Sequence, residues 1–368
     1  MRRYALTSLL FLSVLLLTGC LLTVNHPRLA PDGTMAVFLE SDGGYTLFPE
    51  TGVLHLLQDG VWIPAPAATL DGNGGLLDLS PDGTKALYVE TGSEGLFEPT
   101  MSTLYQVTLE PAAVPIALWE TEDSVAKAVW TEDRRILLIA FDDEDLGALL
   151  ALDPVTGETE RLTDGLLSFE TLPNSDEVIV LVGDDHYDLS LGWIARWDPA
   201  TDTREALAAF FLNDATVELY SMLPHEFLWD VSPDGAWIAL CLNDSALLEP
   251  TIESEMPSLY LVDVAEGTAE RPTVSALMPA FNPDGTGFVY AVEGDDETAV
   301  LMWRDLASEE AEAIPGTEGV SSAFWLSSTR LGMTFELDGN RYRLVEFDVT
   351  TGESHELIGL PPEISDES

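Results

Sequence analysis

Clustered carboxylates are the residues whose types and spacing could do chemistry in this chain. Asp142, Asp143 and Asp145 fall in Asp142-Asp-Glu-Asp145, and Asp184, Asp185 and Asp188 in Gly183-Asp-Asp-His-Tyr-Asp188. Asp295 and Asp296 fall in Glu293-Gly-Asp-Asp-Glu297. Grouped carboxylates can hold Ca²⁺ or dock a basic partner. Calcium sites alternate oxygen ligands around a glycine-containing turn, and no segment has that form; Asp71-Gly-Asn-Gly-Gly75 echoes it only in part. No metal or other cofactor is therefore expected, and a basic partner is the stronger functional reading. The plainer alternative is a solvated loop set, because the chain is acidic throughout: 65 Asp and Glu against 15 Lys and Arg, a formal charge of −50.

Motifs for catalysis are missing. The histidines, His26, His55, His186, His225 and His355, show no metal-ligand spacing. No Gly-x-Ser-x-Gly elbow occurs; Gly319-Val-Ser-Ser-Ala323 comes nearest and reads as a strand. There is no Gly-rich phosphate loop and no Cys-x-x-Cys pair. Carboxylates are so frequent that a glycosidase pair cannot be inferred from any two of them. No catalytic residue is assigned, and the chain is expected not to be an enzyme. Its charge repels nucleic acid, which removes that partner class.

The N-terminus carries an address. Arg2 and Arg3 precede an apolar stretch from Ala5 to Leu17, the length of a signal-peptide core and short for a membrane-spanning helix. It ends in Leu17-Thr-Gly-Cys20, which resembles the lipobox of bacterial lipoproteins. That resemblance implies removal of residues 1–19 and a lipid on Cys20, with residues 20–28 as a short tether. An ordinary secretory signal, or a twin-arginine signal, is the alternative. Cleavage would remove two arginines and no acid, taking the charge from −50 to −52. Leu21 supplies no Asp-type inner-membrane retention signal, so the outer membrane or cell surface is favoured. With Cys20 lipidated, Cys241 has no disulfide partner and reads as a small buried residue.

The elements that must position these residues are announced by a repeat. Pro-Asp-Gly recurs at residues 31–33, 81–83, 233–235 and 283–285, each time between short apolar runs. Degenerate copies stand at Thr131-Glu-Asp133, Pro173-Asn-Ser-Asp176 and Ser327-Ser-Thr329. Pro presets φ and Gly supplies the positive φ that returns the chain as a strand. Third strands such as Leu149-Leu-Ala-Leu-Asp153 and Leu344-Val-Glu-Phe-Asp348 run into Asp/Thr/Gly turns. A repeat of about 50 residues made of four short antiparallel strands is the pattern of a β-propeller. The fold class is thus all-β, a seven-bladed β-propeller of four-stranded antiparallel blades. Its units start near Leu29, Gly75, Val125, Leu167, Phe227, Leu277 and Val320; six or eight blades are the alternatives. The propeller is assigned to residues 29–360, an acidic tail to 361–368, and closure to ordinary packing of first against last blade. Trp130, Trp229 and Trp325 are expected at one shared inner-strand position, and Trp62 on the side of the disc.

An apolar-aromatic-Ser-Pro-Asp-Gly turn followed by an apolar strand resembles the TolB-type, WD40-like propeller repeat of bacterial envelope proteins. The turn matches fully at Ser80-Pro-Asp-Gly83 and Ser232-Pro-Asp-Gly235, with Ala30 and Asn282 in place of Ser in two further copies. The resemblance implies the propeller fold; such propellers serve as scaffolds, partner platforms and appended enzyme domains. The expected function is a monomeric, non-catalytic envelope lipoprotein that binds an unidentified envelope protein or polymer, possibly basic, through the rim carrying the acidic loops. That rim lies opposite the Pro-Asp-Gly turns. The alternative is an enzyme or metal-dependent ligand binder using the central channel.

Overall fold

Short runs of Val, Leu, Ile, Phe and Trp between turn residues favour strands over helices. The computed structural model bears this out: every regular element it describes is a strand. It describes residues 25–358 except 31–32, 41–44, 48–50, 59–60, 72, 93–100, 132–133, 142–146, 173–174, 176, 184–189, 213–226, 243–256, 274–275, 295–297, 309 and 339–340.

The strands form consecutive antiparallel meanders. The first sheet holds β1 (Arg28–Leu29), β2 (Met35–Leu39), β3 (Thr51–Gln58) and β4 (Val61–Asp71). The second holds β5 (Asn73–Leu79), β6 (Lys85–Gly92), β7 (Met101–Thr108) and β8 (Ile116–Thr121). A seven-stranded sheet follows, with β9 (Ser124–Trp130), β10 (Ile136–Phe141), β11 (Gly147–Leu152), β12 (Thr159–Thr171), β13 (Val178–Val182), β14 (Ser190–Asp198) and β15 (Thr203–Leu212). Then come β16 (Trp229–Val231), β17 (Trp237–Leu242), β18 (Ser258–Asp263) and β19 (Thr268–Thr273) in one sheet. The next sheet holds β20 (Ala276–Phe281), β21 (Gly287–Glu293), β22 (Ala299–Asp305) and β23 (Ala311–Ala313). The last holds β24 (Val320–Ser327), β25 (Arg330–Asp338), β26 (Arg341–Asp348) and β27 (Ser354–Ile358). The seven-stranded sheet is two meanders sharing one long strand. Residues from Thr159 to Leu166 of β12 pair with β11, and those from Leu166 to Thr171 pair with β13.

The turns follow the chemistry of their residues. The Gly83 N–H donates to the Ser80 carbonyl at 2.7 Å, while the Asp82 carboxylate accepts from Ser80 Oγ and from Thr84 Oγ1 at 2.8 and 2.6 Å. Hydrogen bonds from the Thr84 and Ser80 side chains and the Thr84 N–H hold the Asp82 carboxyl down to about 2. Ser232 and Asp234 repeat the pattern, and Gly235 has φ 68°. The degenerate third copy keeps the geometry: Arg134 takes φ 68° where the others carry Gly, and its N–H donates to the Thr131 carbonyl. The seventh copy is shorter, with Ser327 pairing directly with Arg330.

Hydrophobic cores sit between successive sheets, as two-faced meanders require. Phe38 and Leu56 pack with Leu76 and Tyr88, Leu87 and Val89 with Val125 and Ile136, and Val289 and Leu301 with Leu331 and Val345. Met35, Val37 and Leu47 of the first sheet pack with Leu326, Leu344 and Ile358 of the last, so the ring closes. Tyr45 and Tyr342 form a backbone bridge at this seam, and Trp62 Nε1 donates to the Leu357 carbonyl at 3.2 Å. Trp62 is therefore a seam residue joining the two ends of the chain. No sheet mixes strands from the two ends among the described residues. The fold begins earlier than the sequence suggests: Asn25 to Arg28, assigned above to the tether, are packed in it, with Asn25 and His26 buried.

Candidate functional site

Around the axis, from β5 to β24, the first strand of each meander is tied to that of the next by a side chain. Asp78 Oδ2 of β5 accepts the Trp130 N–H of β9 at 2.7 Å. Lys127 of β9 forms an ion pair with Glu170 of β12. Trp229 Nε1 of β16 donates to Ser168 Oγ of β12 at 2.7 Å. Asp230 Oδ2 of β16 accepts the Phe281 N–H of β20 at 2.7 Å, and Trp325 Nε1 of β24 donates to the Ala280 carbonyl at 3.0 Å. His26, ahead of β1, stacks on Phe324 with ring centroids 5.3 Å apart.

These contacts surround a cavity of about 500 Å³. Counting back from the residue that opens each turn, Arg28, Asp78, Val129, Glu170, Asp230, Ala280 and Trp325 all stand two positions before it, and all seven line the cavity. Lys127 and His26 enter from two positions further back. The cavity therefore runs along the turn-side ends of the inner strands.

The electrostatics are unusual for an acidic protein. Lys127 is buried yet neutralised by Glu170. Asp78 and Asp230 are half-buried, and among the described residues neither has a cationic side chain within ion-pair distance. Burial pushes the Asp78 carboxyl up to about 6, against the bond from the Trp130 N–H and the charge of Arg28. Burial and then the neighbouring Glu170 push Asp230 to about 7. Among the described residues, no three His, Cys, Asp or Glu side chains gather as a metal-binding set. Cys241 is fully buried, and burial alone drives its thiol far up, which leaves it inert.

Asp142, Asp143, Asp145, Asp184, Asp185, Asp188, Asp295 and Asp296, together with Cys20, lie outside the described residues. The three tryptophans do not share one position. Trp229, Trp325 and Trp130 stand three, two and one residues before their turns. Trp229 and Trp325 reach neighbouring strands through Nε1, and the buried Trp130 Nε1 has no hydrogen-bond partner. A bulge between Trp325 and Ser327 shifts the register beside Trp325, whereas β16 pairs with β17 without one. The missed signal was Asp78-x-Ser80 and Asp230-x-Ser232, an Asp two residues before the Ser in both full copies of the turn.

No family model matches this chain, and no curated protein matches it. Solved structures do. The β-propeller domain of the Trilobed protease from Pyrococcus furiosus, described as having an open velcro topology, is similar at TM-score 0.60 and 15% identity, over 93% of this chain and 98% of that one. An acylaminoacyl peptidase is similar at TM-score 0.57 and 17% identity, over 92% of this chain and 52% of that one. TolB from Acinetobacter baumannii is similar at TM-score 0.46 and 16% identity, over 69% of this chain and 58% of that one. This chain thus spans little more than half the length of the peptidase and of that TolB. At these identities the likeness is one of fold: the chain is a β-propeller, and TolB proteins are among the structures it resembles.

Proposed function

We propose that this is a seven-bladed propeller, counting the two meanders that share β12 as separate blades, and that it works by binding a ligand or partner group in its central cavity. The observation that carries the reading is the convergence of side chains from the first strand of every meander on one polar cavity. Charges drawn out of water cost stability unless they are paired, and Asp78 and Asp230 keep theirs without an ion-pair partner among the described residues, which a ligand would supply. The cavity has the size of a small-molecule site, and its convergent polar groups support a binding role.

We place the protein at the bacterial envelope, lipidated at Cys20, as a monomer that meets an envelope protein or polymer. Asn25 is bonded to Phe38 and Thr46, where β2 leads towards β3, at the end of the disc away from the turns. Only Leu21 to Val24 separate it from Cys20, a span of at most about 14 Å when extended. The turn-side cavity then faces away from the bilayer and is open to a partner.

Two substitutions test this. Cys20→Ser should move the protein from the membrane to the soluble fraction; retention on the membrane would refute the anchor. Ala280→Trp fills the cavity from a half-buried position that lines it and touches the edge of the core between the last two sheets. It should abolish capture of the crosslinked envelope partner while leaving the melting temperature within a few degrees of wild type. Undiminished capture would move the binding site elsewhere.

A further inference from the structure

We propose that the central cavity takes a small organic ammonium ion, and that Asp230 is the carboxylate that pairs with it. The proposal rests on the cavity being the binding site and adds the chemical class of its ligand. Charge around the cavity is unevenly matched. Lys127 is the one cation on the side of β12 and β16 among the described residues, and Glu170 already engages it. Asp230 faces the same space, with Oδ2 held by the Phe281 N–H at 2.7 Å and Oδ1 by the Val231 N–H at 2.9 Å. Those two bonds fix the carboxylate without neutralising it. Arg28 acts on Asp78, across the cavity, and is not among the charges felt by Asp230.

The walls beside Asp230 are aromatic: Trp229, Phe281 and Trp325 all line the cavity. A cation over such faces gains the ring quadrupole as well as the carboxylate. An anionic ligand would meet Asp78, Glu170 and Asp230 together, and a neutral one would leave the buried carboxylate uncompensated. An ammonium group satisfies both features. It also offsets the burial and, after it, the Glu170 charge that together raise the Asp230 carboxyl against the pull of Lys127. Entry of the cation should therefore expel part of a proton, with Glu170, Lys127, Asp78, Arg28 and His26 as the other titratable groups facing the cavity.

Calorimetric titration tests this on the mature protein, using choline against its neutral isostere 3,3-dimethylbutan-1-ol. At pH 7.5 choline should bind at least about tenfold more tightly than the alcohol. The heat should change with the ionisation enthalpy of the buffer, and the preference should vanish as pH falls towards 5 and Asp230 takes up its proton. Asp230→Asn should bring the preference to near unity, provided its melting curve shows a folded protein. If that variant does not fold, the wild-type preference and its pH dependence decide the matter alone. Equal binding of the alcohol, a preference unchanged in Asp230→Asn, or no choline binding at concentrations of about 10 mM each overturns the ammonium assignment. Ala280→Trp separates this failure from that of the cavity: if the alcohol binds and Ala280→Trp abolishes its binding, the cavity stands and only the ligand class falls.

Discussion

Asn25→Ala should cost about 3–5 kcal/mol of stability, the largest loss expected from any single polar substitution in this chain. Asn25 is fully buried. Its Nδ2 donates to the carbonyls of Phe38 and Thr46 at 2.8 and 3.1 Å, and its Oδ1 accepts the Phe38 N–H at 3.1 Å. Alanine would strand all three backbone groups away from water, and each carries its own desolvation penalty. The damage would spread to the seam of the ring. Tyr45 Oη donates to the Asn25 carbonyl at 2.9 Å, and Tyr45 is the residue that bridges Tyr342 of the last sheet. Urea denaturation should show the loss, and hydrogen exchange should show protection falling in β2 and β26 before the other strands. A loss below about 1 kcal/mol would mean that water replaces the amide and that the seam is held by its apolar residues alone.

Asp230 gives the second large effect, and its sign depends on pH. The folded-state value of about 7 lies above the ordinary carboxyl value of 3.8. Between those values the folded protein holds a proton that the unfolded chain has released, so the residue's contribution to stability is present at low pH and lost as pH rises through 7. Asn keeps an acceptor for the Phe281 N–H, gives up the one for the Val231 N–H, and cannot ionise. Asp230→Asn should therefore cost about 1 kcal/mol at pH 4 and be stabilising by up to about 1 kcal/mol at pH 8, after allowance for solvent reaching the cavity. Asp230→Ala leaves the Phe281 and Val231 N–H groups without their acceptor and should cost about 2–3 kcal/mol at pH 4, where the charge is absent. Melting temperatures of wild type and both variants from pH 4 to 8 decide this. Parallel wild-type and Asp230→Asn curves would show that Asp230 titrates as a solvated carboxyl.

Local chemistry carried much of the fold. Ser80-Pro-Asp-Gly83 announces its turn because each residue has a bonding role there: Ser80 and Thr84 converge on Asp82, and Gly83 accepts positive φ. The same rule located the degenerate Thr131 turn, although nothing in the residue type foretold that Arg134 would adopt the glycine conformation. Third strands ending in Asp were equally legible. Asp153, Asp263 and Asp348 each accept backbone N–H bonds from the next two or three residues, a local Asx turn that depends on no distant partner.

The site was less legible. Asp78 and Asp230 look like two more acids in a chain of many, and only burial and the N–H groups of the neighbouring strand set them apart. Asp78 meets Trp130 across 52 positions and Trp229 meets Ser168 across 61, separations over which one sequence holds no register. The carboxylate clusters drew attention by their density, but density marks solvated loops as readily as sites.

By itself the sequence determined the repeating turns, the strand grammar and the acidic composition, because each depends on residue types and neighbours along the chain. The tertiary structure decided which residues share the axis. His26 and Trp325 belong to one cavity only because the first and last sheets bury Val37 against Leu344 and close the ring. Removing apolar faces from water makes that closure, and it brings Asp78, Glu170 and Asp230 into one partly enclosed space, where their charges are less well solvated than on the surface.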